Sequence, residues 1–128
     1  MAQSTDAIRA IASAYPGLKL LVLHGSRARG DSHAGSDWDF AYSAEPELDV
    51  DGLMASLGEG LGTNHLDLAD LDRASGLLRY KAASDGVAVY QREPALFEQF
   101  RLDAVSAWCD MAPVLGPAYA VSLARLIG

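Results

Sequence analysis

Asp37-Trp38-Asp39 is the stretch of this chain best suited to chemistry. On a strand, residues two apart point to the same face, so Asp37 and Asp39 present two carboxylates side by side. Adjacent carboxylates repel and shift each other's pKa unless a cation lies between them. Hard oxygen donors of this kind suit Mg²⁺, which takes one or two protein carboxylates and fills its shell with water and phosphate oxygens. Upstream, separated by the ten residues 27–36, stand Gly25 and Ser26. Gly25 has no Cβ, so its backbone can approach a ligand closely. A helix starting at Ser26 offers free N–H groups and a positive dipole end to an anion, and the Ser26 hydroxyl adds one more donor. Arg27 and Arg29 follow; they can neutralise phosphate charge or simply be solvated. The chemistry these residues suggest is a phosphate cradle facing a metal-binding carboxylate pair. The bland alternative is a hairpin whose turn is rich in Gly, Ser and Asp. Such a hairpin needs no aspartates on its strand, where Asp is disfavoured.

The elements that must carry these residues are legible around them. Leu18 to His24 is nearly all apolar from Leu20 and reads as a strand buried on both faces. Arg27 to Ala34 reads as a helical turn and loop. A second strand spans about Ser36 to Tyr42, with Trp38 and Phe40 turned into the core. Before them, Thr5 to Tyr15 has helical spacing, with Ile8, Ile11, Ala12 and Tyr15 on one side, and Pro16-Gly17 ends it. Val50 to Leu61 reads as another helix, striped with Val50, Leu53, Met54, Leu57 and Leu61. Gly58, Gly60 and Gly62 have the wrong spacing for a phosphate loop and read as helix end and turn. His65 to Leu71 is a third strand, with Asp67 alternating out of its apolar set and Asp70 and Asp72 at its end as possible helix caps. Arg73 to Ala83 is helical, Asp85-Gly86 a turn, and Val87 to Tyr90 a short strand. Pro94 opens a last helix to about Met111, with Phe97, Phe100, Ala104, Val105 and Trp108 on one face, broken by Pro113, Gly116 and Pro117. Tyr119 to Ile127 reads as further helical turns.

The 128 residues suit one domain, 1–128, with a core over about 18–92 and a helical extension over 94–128. The apolar runs fall far short of a membrane span, and the N-terminus has no basic segment leading an apolar one. The net charge is −7, and between Asp31 and Asp72 the chain has acids but neither Lys nor Arg. Binding to duplex nucleic acid needs a basic face, which argues against that partner. The single cysteine, Cys109, fits a reducing cytoplasm and reads as a small buried apolar residue. His24 reads as packing or capping at the strand end. His33 and His65 lack metal-ligand spacing, and Arg79 and Lys81 read as surface residues.

Gly25-Ser26, ten residues, Asp37-x-Asp39 and then an acid on a later strand resemble the signature of the nucleotidyltransferase superfamily. The text LHGSRARGDSHAGSDWDF, and later HLDLADLDRASGLLRYKAASDGVAVYQREP, is similar to the minimal nucleotidyltransferases, the MNT-domain proteins, often antitoxins paired with HEPN toxins. The similarity runs from Leu20 to Pro94. It implies an α/β (α+β) fold: a mixed sheet of about four strands flanked by helices, with a C-terminal helix. It implies that Asp37, Asp39 and Asp67 are the catalytic and metal-binding acids, with Asp70 the fallback for the third. It implies two Mg²⁺ ions and ATP, bound at Gly25, Ser26, Arg27 and Arg29, and transfer of AMP to a hydroxyl. With most of the chain spent on this unit, the acceptor is expected on a partner protein, a HEPN toxin. The competing readings are an antitoxin that works by occlusion alone, and a transferase acting on a small, aminoglycoside-like acceptor.

Overall fold

The computed structural model of the chain describes residues 2–30 and 37–115. In chain order it contains α1 (Ala2–Ser13), β1 (Leu18–His24), α2 (Ser26–Arg29), β2 (Trp38–Ala44), α3 (Val50–Leu61), β3 (Leu66–Asp70), α4 (Gly76–Asp85), β4 (Val87–Gln91) and α5 (Leu96–Leu115). The strands form one mixed sheet in the order β3-β2-β1-β4. β1 pairs antiparallel with both β2 and β4, whereas β2 and β3 are parallel. A parallel neighbour needs a crossover, and α3 provides it. This is the mixed four-stranded α/β arrangement expected from the sequence.

β1 runs through the middle. Leu20, Leu21, Val22 and Leu23 are each at most 3 % exposed, because helices cover both faces of the sheet. On one face Leu21 and Leu23 join Trp38, Phe40 and Tyr42 in a core with Ile8 and Ala12 of α1 and Leu53 and Leu57 of α3. On the other, Leu20, Val22 and Ala41 meet Ala82 of α4, with Phe97 and Phe100 of α5 beside them. Phe40 is 0 % exposed and stacks on Trp38 with ring centroids 5.9 Å apart. Phe40→Ala is expected to cost about 3–5 kcal/mol of stability, measured by denaturant unfolding, because the surrounding core collapses only partly into the space left.

β1 and α3 have the bounds read from the sequence; other elements differ, each for a local reason. α1 starts at Ala2 and stops at Ser13, and Tyr15 lies beyond it with its hydroxyl donating to Gly52 O at 2.7 Å. α2 is a single turn ended by Gly30 in the left-handed region. β2 is shifted two residues along, to Trp38–Ala44. Ser36, Ala34 and His33 lie outside the described residues, as does the 119–127 segment. α3 is capped by Asp49, which accepts from Gly52 N at 3.0 Å, and ends on left-handed Gly62, the role expected of those glycines.

Asp70 and Asp72 do not cap α4. Asp70 instead accepts from Asp72 N in a turn, and Ser75 is the cap, taking Leu78 N at 3.2 Å. α4 therefore begins at Gly76, three residues later than expected. α5 begins at Leu96 rather than Pro94, because Gln91 Oε1 accepts from Phe97 N at 2.9 Å and Ala95 takes φ 72°. It passes Pro113 and ends at Leu115; a proline so near a helix end removes a single backbone bond. Cys109 is exposed, not buried, because Trp108 takes the inward position of that turn. Among the described residues no helix is long and apolar enough to cross a membrane.

Candidate active site

The site forms where β1 ends. After His24 the chain turns through Gly25 at φ 75°, ψ −159°, a backbone region open essentially to glycine alone. The turn also presses on β2. A Cβ at Gly25 would overlap Asp39 Oδ2 and lie 3.2 Å from its Cγ. Gly25 is thus required twice, by its own dihedrals and by the carboxylate beneath it. α2 follows at once, with Ala28 N and Arg29 N both donating to Gly25 O at 3.1 Å. Among the described residues no side chain caps its start, and the opening amides of any helix lack an intrahelical acceptor.

Strand alternation places the acids. Trp38 and Phe40 are buried against α1 and α3, so Asp39 stands on the opposite face, that of α4 and α5. Register then lines up three strands: His24 of β1 is opposite Asp39 of β2, and Asp39 is opposite Asp67 of β3. Neighbouring strands lie about 4.8 Å apart, so the Asp39 and Asp67 side chains are immediate neighbours. Asp37, just before β2, has the parity of Asp39. Its Oδ1 lies 3.8 Å from His65 Nδ1, and both residues are exposed. Trp38 N donates to His65 O at 2.8 Å, which extends the β2–β3 pairing to this point. Asp70, the fallback acid, pairs with Tyr42 at the far end of β3 and so lies away from the group.

The three acids share one corner of the sheet without closing on a point. Among the described residues no three acidic, histidine or cysteine groups are already gathered tightly enough to hold a metal ion. Asp39 lies under Gly25, and Asp37 leans to His65. His24 is pushed below the usual imidazole pKa by burial. Asp39 opposes that shift most strongly among the neighbouring charges, and Asp67 and Asp85 act in the same direction. A lowered pKa leaves His24 neutral near pH 7, so it brings no positive charge to compete for the carboxylates.

The two arginines are drawn to opposite sides of the turn. The Arg27 guanidinium lies 4.2 Å over the Trp38 ring, toward the α1 and α3 side. Arg29 Nη1 lies 3.7 Å from Asp85 Oδ2, on the side of His24 and Asp39. In the sequence Asp85 reads only as half of a turn. The signal that could have marked it is an acid ending a helix, where the dipole disfavours negative charge. Arg79 is not a surface residue: it donates to Leu71 O and lies 5.1 Å over the Phe100 ring, joining α4 to α5. Lys81 is exposed, as expected.

Comparison with known proteins agrees with this geometry. Residues 6–95, which contain every acid and glycine of the corner, match the family described as polymerase beta, nucleotidyltransferase. A protein adenylyltransferase MntA from Aphanizomenon flos-aquae (strain 2012/KM1/D3) is 30% identical over 99 residues, 67% of this chain and 65% of that protein. This chain therefore spans just under two thirds of that relative's length. Among solved structures, a toxin–antitoxin crystallised with AMP-PNP superposes with a TM-score of 0.71 at 27% identity, over 84% of this chain and 88% of that one. A tri-AMPylated Shewanella oneidensis HEPN toxin in complex with MNT antitoxin gives 0.66 at 25% identity, over 87% and 89%. The glycine bent over an aspartate, the acid registered beside it and the matched segment agree: this chain belongs to the polymerase beta, nucleotidyltransferase family.

Proposed function

We propose that this chain transfers AMP from ATP to a hydroxyl of a partner protein, a HEPN-type toxin, and silences it as a cytoplasmic antitoxin. The observation that carries the reading is the pairing of Asp39, which lies directly under Gly25, with Asp67 on the next strand. It puts hard anionic oxygens and a close-approach backbone at one corner of the sheet. The names of the matched relatives, an adenylyltransferase and an AMPylated toxin with its antitoxin, supply the nucleotide and the acceptor class.

In this reading Gly25 lets the triphosphate come against the backbone, and the first amides of α2 with the Ser26 hydroxyl donate to its oxygens. Arg27 and Arg29 flank that turn and offset phosphate charge. Asp37, Asp39 and Asp67 form an all-carboxylate donor set, whose chemistry fits a hard cation, and in this reading they would hold two Mg²⁺ ions. Held by these acids, Mg²⁺ would supply Lewis-acid stabilisation of the charge that builds on the phosphate oxygens and the acceptor oxygen. The acceptor hydroxyl oxygen forms a bond to the α-phosphorus and gives its proton up to water, while the α-phosphorus–oxygen bond to pyrophosphate breaks and pyrophosphate leaves. The protein's own part is positioning and charge placement rather than covalent chemistry.

Intact-mass measurement of the partner before and after incubation with this chain and MgATP tests the proposal. Discrete AMP additions are expected, and they should vanish when EDTA replaces the metal. A partner that is neutralised with no added mass would sink the catalytic reading and leave occlusion.

A further inference from the structure

A one-turn helix has no stability of its own. α2 is held by its neighbours at three successive residues. Arg27 lies over Trp38, Ala28 packs against the core shared with α1 and α3, and Arg29 reaches Asp85. The first two draw the turn toward one face of the sheet. The third ties it to the face where Asp39 and Asp67 stand.

Asp85 is an unusual choice for its place. It is the last residue of α4, where the helix dipole disfavours a carboxylate, and its side chain is 16% exposed. It also sits near enough to His24 to act on it together with Asp39 and Asp67. A triphosphate approaching this corner therefore meets several carboxylates. At 3.7 Å from a half-exposed arginine, Asp85 gains little stability from the pair. A residue that weakens its helix end, adds an acid to an anion site and returns little stability calls for another role.

We propose that Asp85 is a positioning residue for the nucleotide. It holds Arg29, and through it the Gly25–Arg29 turn, over the face that carries Asp39 and Asp67. The guanidinium and the turn are then in place before the triphosphate arrives. This rests on the AMP-transfer reading above. A plain field argument gives the opposite sign, since removing an acid would tighten the binding of an anion. The positioning argument says that a loosened turn must be ordered during binding, so affinity falls.

The test uses the full chain with its partner and MgATP, and a non-hydrolysable ATP analogue for direct titration. Asp85→Asn should raise the KM for ATP and the Kd of the analogue about tenfold, with kcat changed less than about twofold, and Arg29→Ala should raise both KM and Kd at least as much. Asp85→Glu should recover most of the loss. The double variant should bind no worse than Arg29→Ala alone, because Asp85 acts on the nucleotide only through Arg29. Unchanged or tighter binding by Asp85→Asn, or additive losses in the double variant, overturns the proposal. If Asp85→Asn fails to fold, Arg29→Ala decides at an exposed position: wild-type affinity there also overturns it. Wild-type protein that does not bind the analogue at all overturns the AMP-transfer reading together with this one. Wild-type binding equalled by both variants overturns only the role of Asp85.

Discussion

Asp39→Asn is expected to lower AMP transfer on the order of 10³-fold while the protein stays folded. Asp39 is the central acid of the corner, registered against His24 on one side and Asp67 on the other. No neighbour can take its place, because the positions beside it on β2, Trp38 and Phe40, face the core. Asparagine keeps the shape but lacks the charge that binds a divalent cation and the lone pairs of a second anionic oxygen. Stability should not suffer. Removing one of two neighbouring carboxylates relieves repulsion, and functional sites commonly gain stability when their strained charges are removed. The expected pair of results is therefore an unchanged or raised Tm beside an almost dead enzyme, read from thermal melting and from intact mass of the partner. The same variant separates the two antitoxin mechanisms. Toxin activity should return with Asp39→Asn if AMP transfer silences it, and should stay suppressed if occlusion does.

Gly25→Ala should damage both fold and function. At φ 75°, ψ −159° a side chain is strained by about 1–3 kcal/mol whatever surrounds it. Here the new methyl would also overlap the Asp39 carboxylate, so the acid or the turn must move. Displacement of a reacting geometry by about 1 Å can cost on the order of 10²-fold in rate. We therefore expect a stability loss of about 2 kcal/mol by denaturant midpoint and a transfer loss of about 10²-fold or more. The double variant Gly25→Ala/Asp39→Ala separates the two causes. Shortening Asp39 relieves the overlap but not the dihedral strain, so stability should recover in part and activity not at all. Full additivity of the two single-variant stability changes would show that the turn does not rest on Asp39.

Much of this corner could be read before any coordinates. A continuous apolar run gave β1 away as a strand covered on both faces, and alternation around Trp38 and Phe40 settled which way Asp39 points. A heptad-like stripe ending in glycine delimited α3. Those are local signals, and they are reliable where one element's own periodicity decides. The pairing of Asp39 with Asp67 is not local. Their register depends on how the α3 crossover returns the chain, and nothing within His65 to Leu71 encodes that. The start of α4 was misplaced for a related reason. Asp70, Asp72 and Ser75 are all competent caps; Asp70 is taken up by Asp72 N in a turn, and Ser75 caps the helix. The parting of Arg27 from Arg29 was hidden because it depends on Trp38 and Asp85, which come from other parts of the chain. Asp85 itself looked like ordinary turn chemistry beside Gly86. Cys109 was judged by residue type, and its neighbour Trp108 outweighed it for the inward position.

β3 lies at the margin of the sheet, with a single strand neighbour, five residues and none of them fully buried. Asp67 is on it. Margins are where a folded protein opens first, in excursions that need not disturb the centre. Each time β3 peels from β2 it carries Asp67 away from Asp39, so under the role proposed for Asp67, fraying of that strip and competence for chemistry would be the same equilibrium seen from two sides. Whatever bridges Asp39 to Asp67 also stitches the sheet shut.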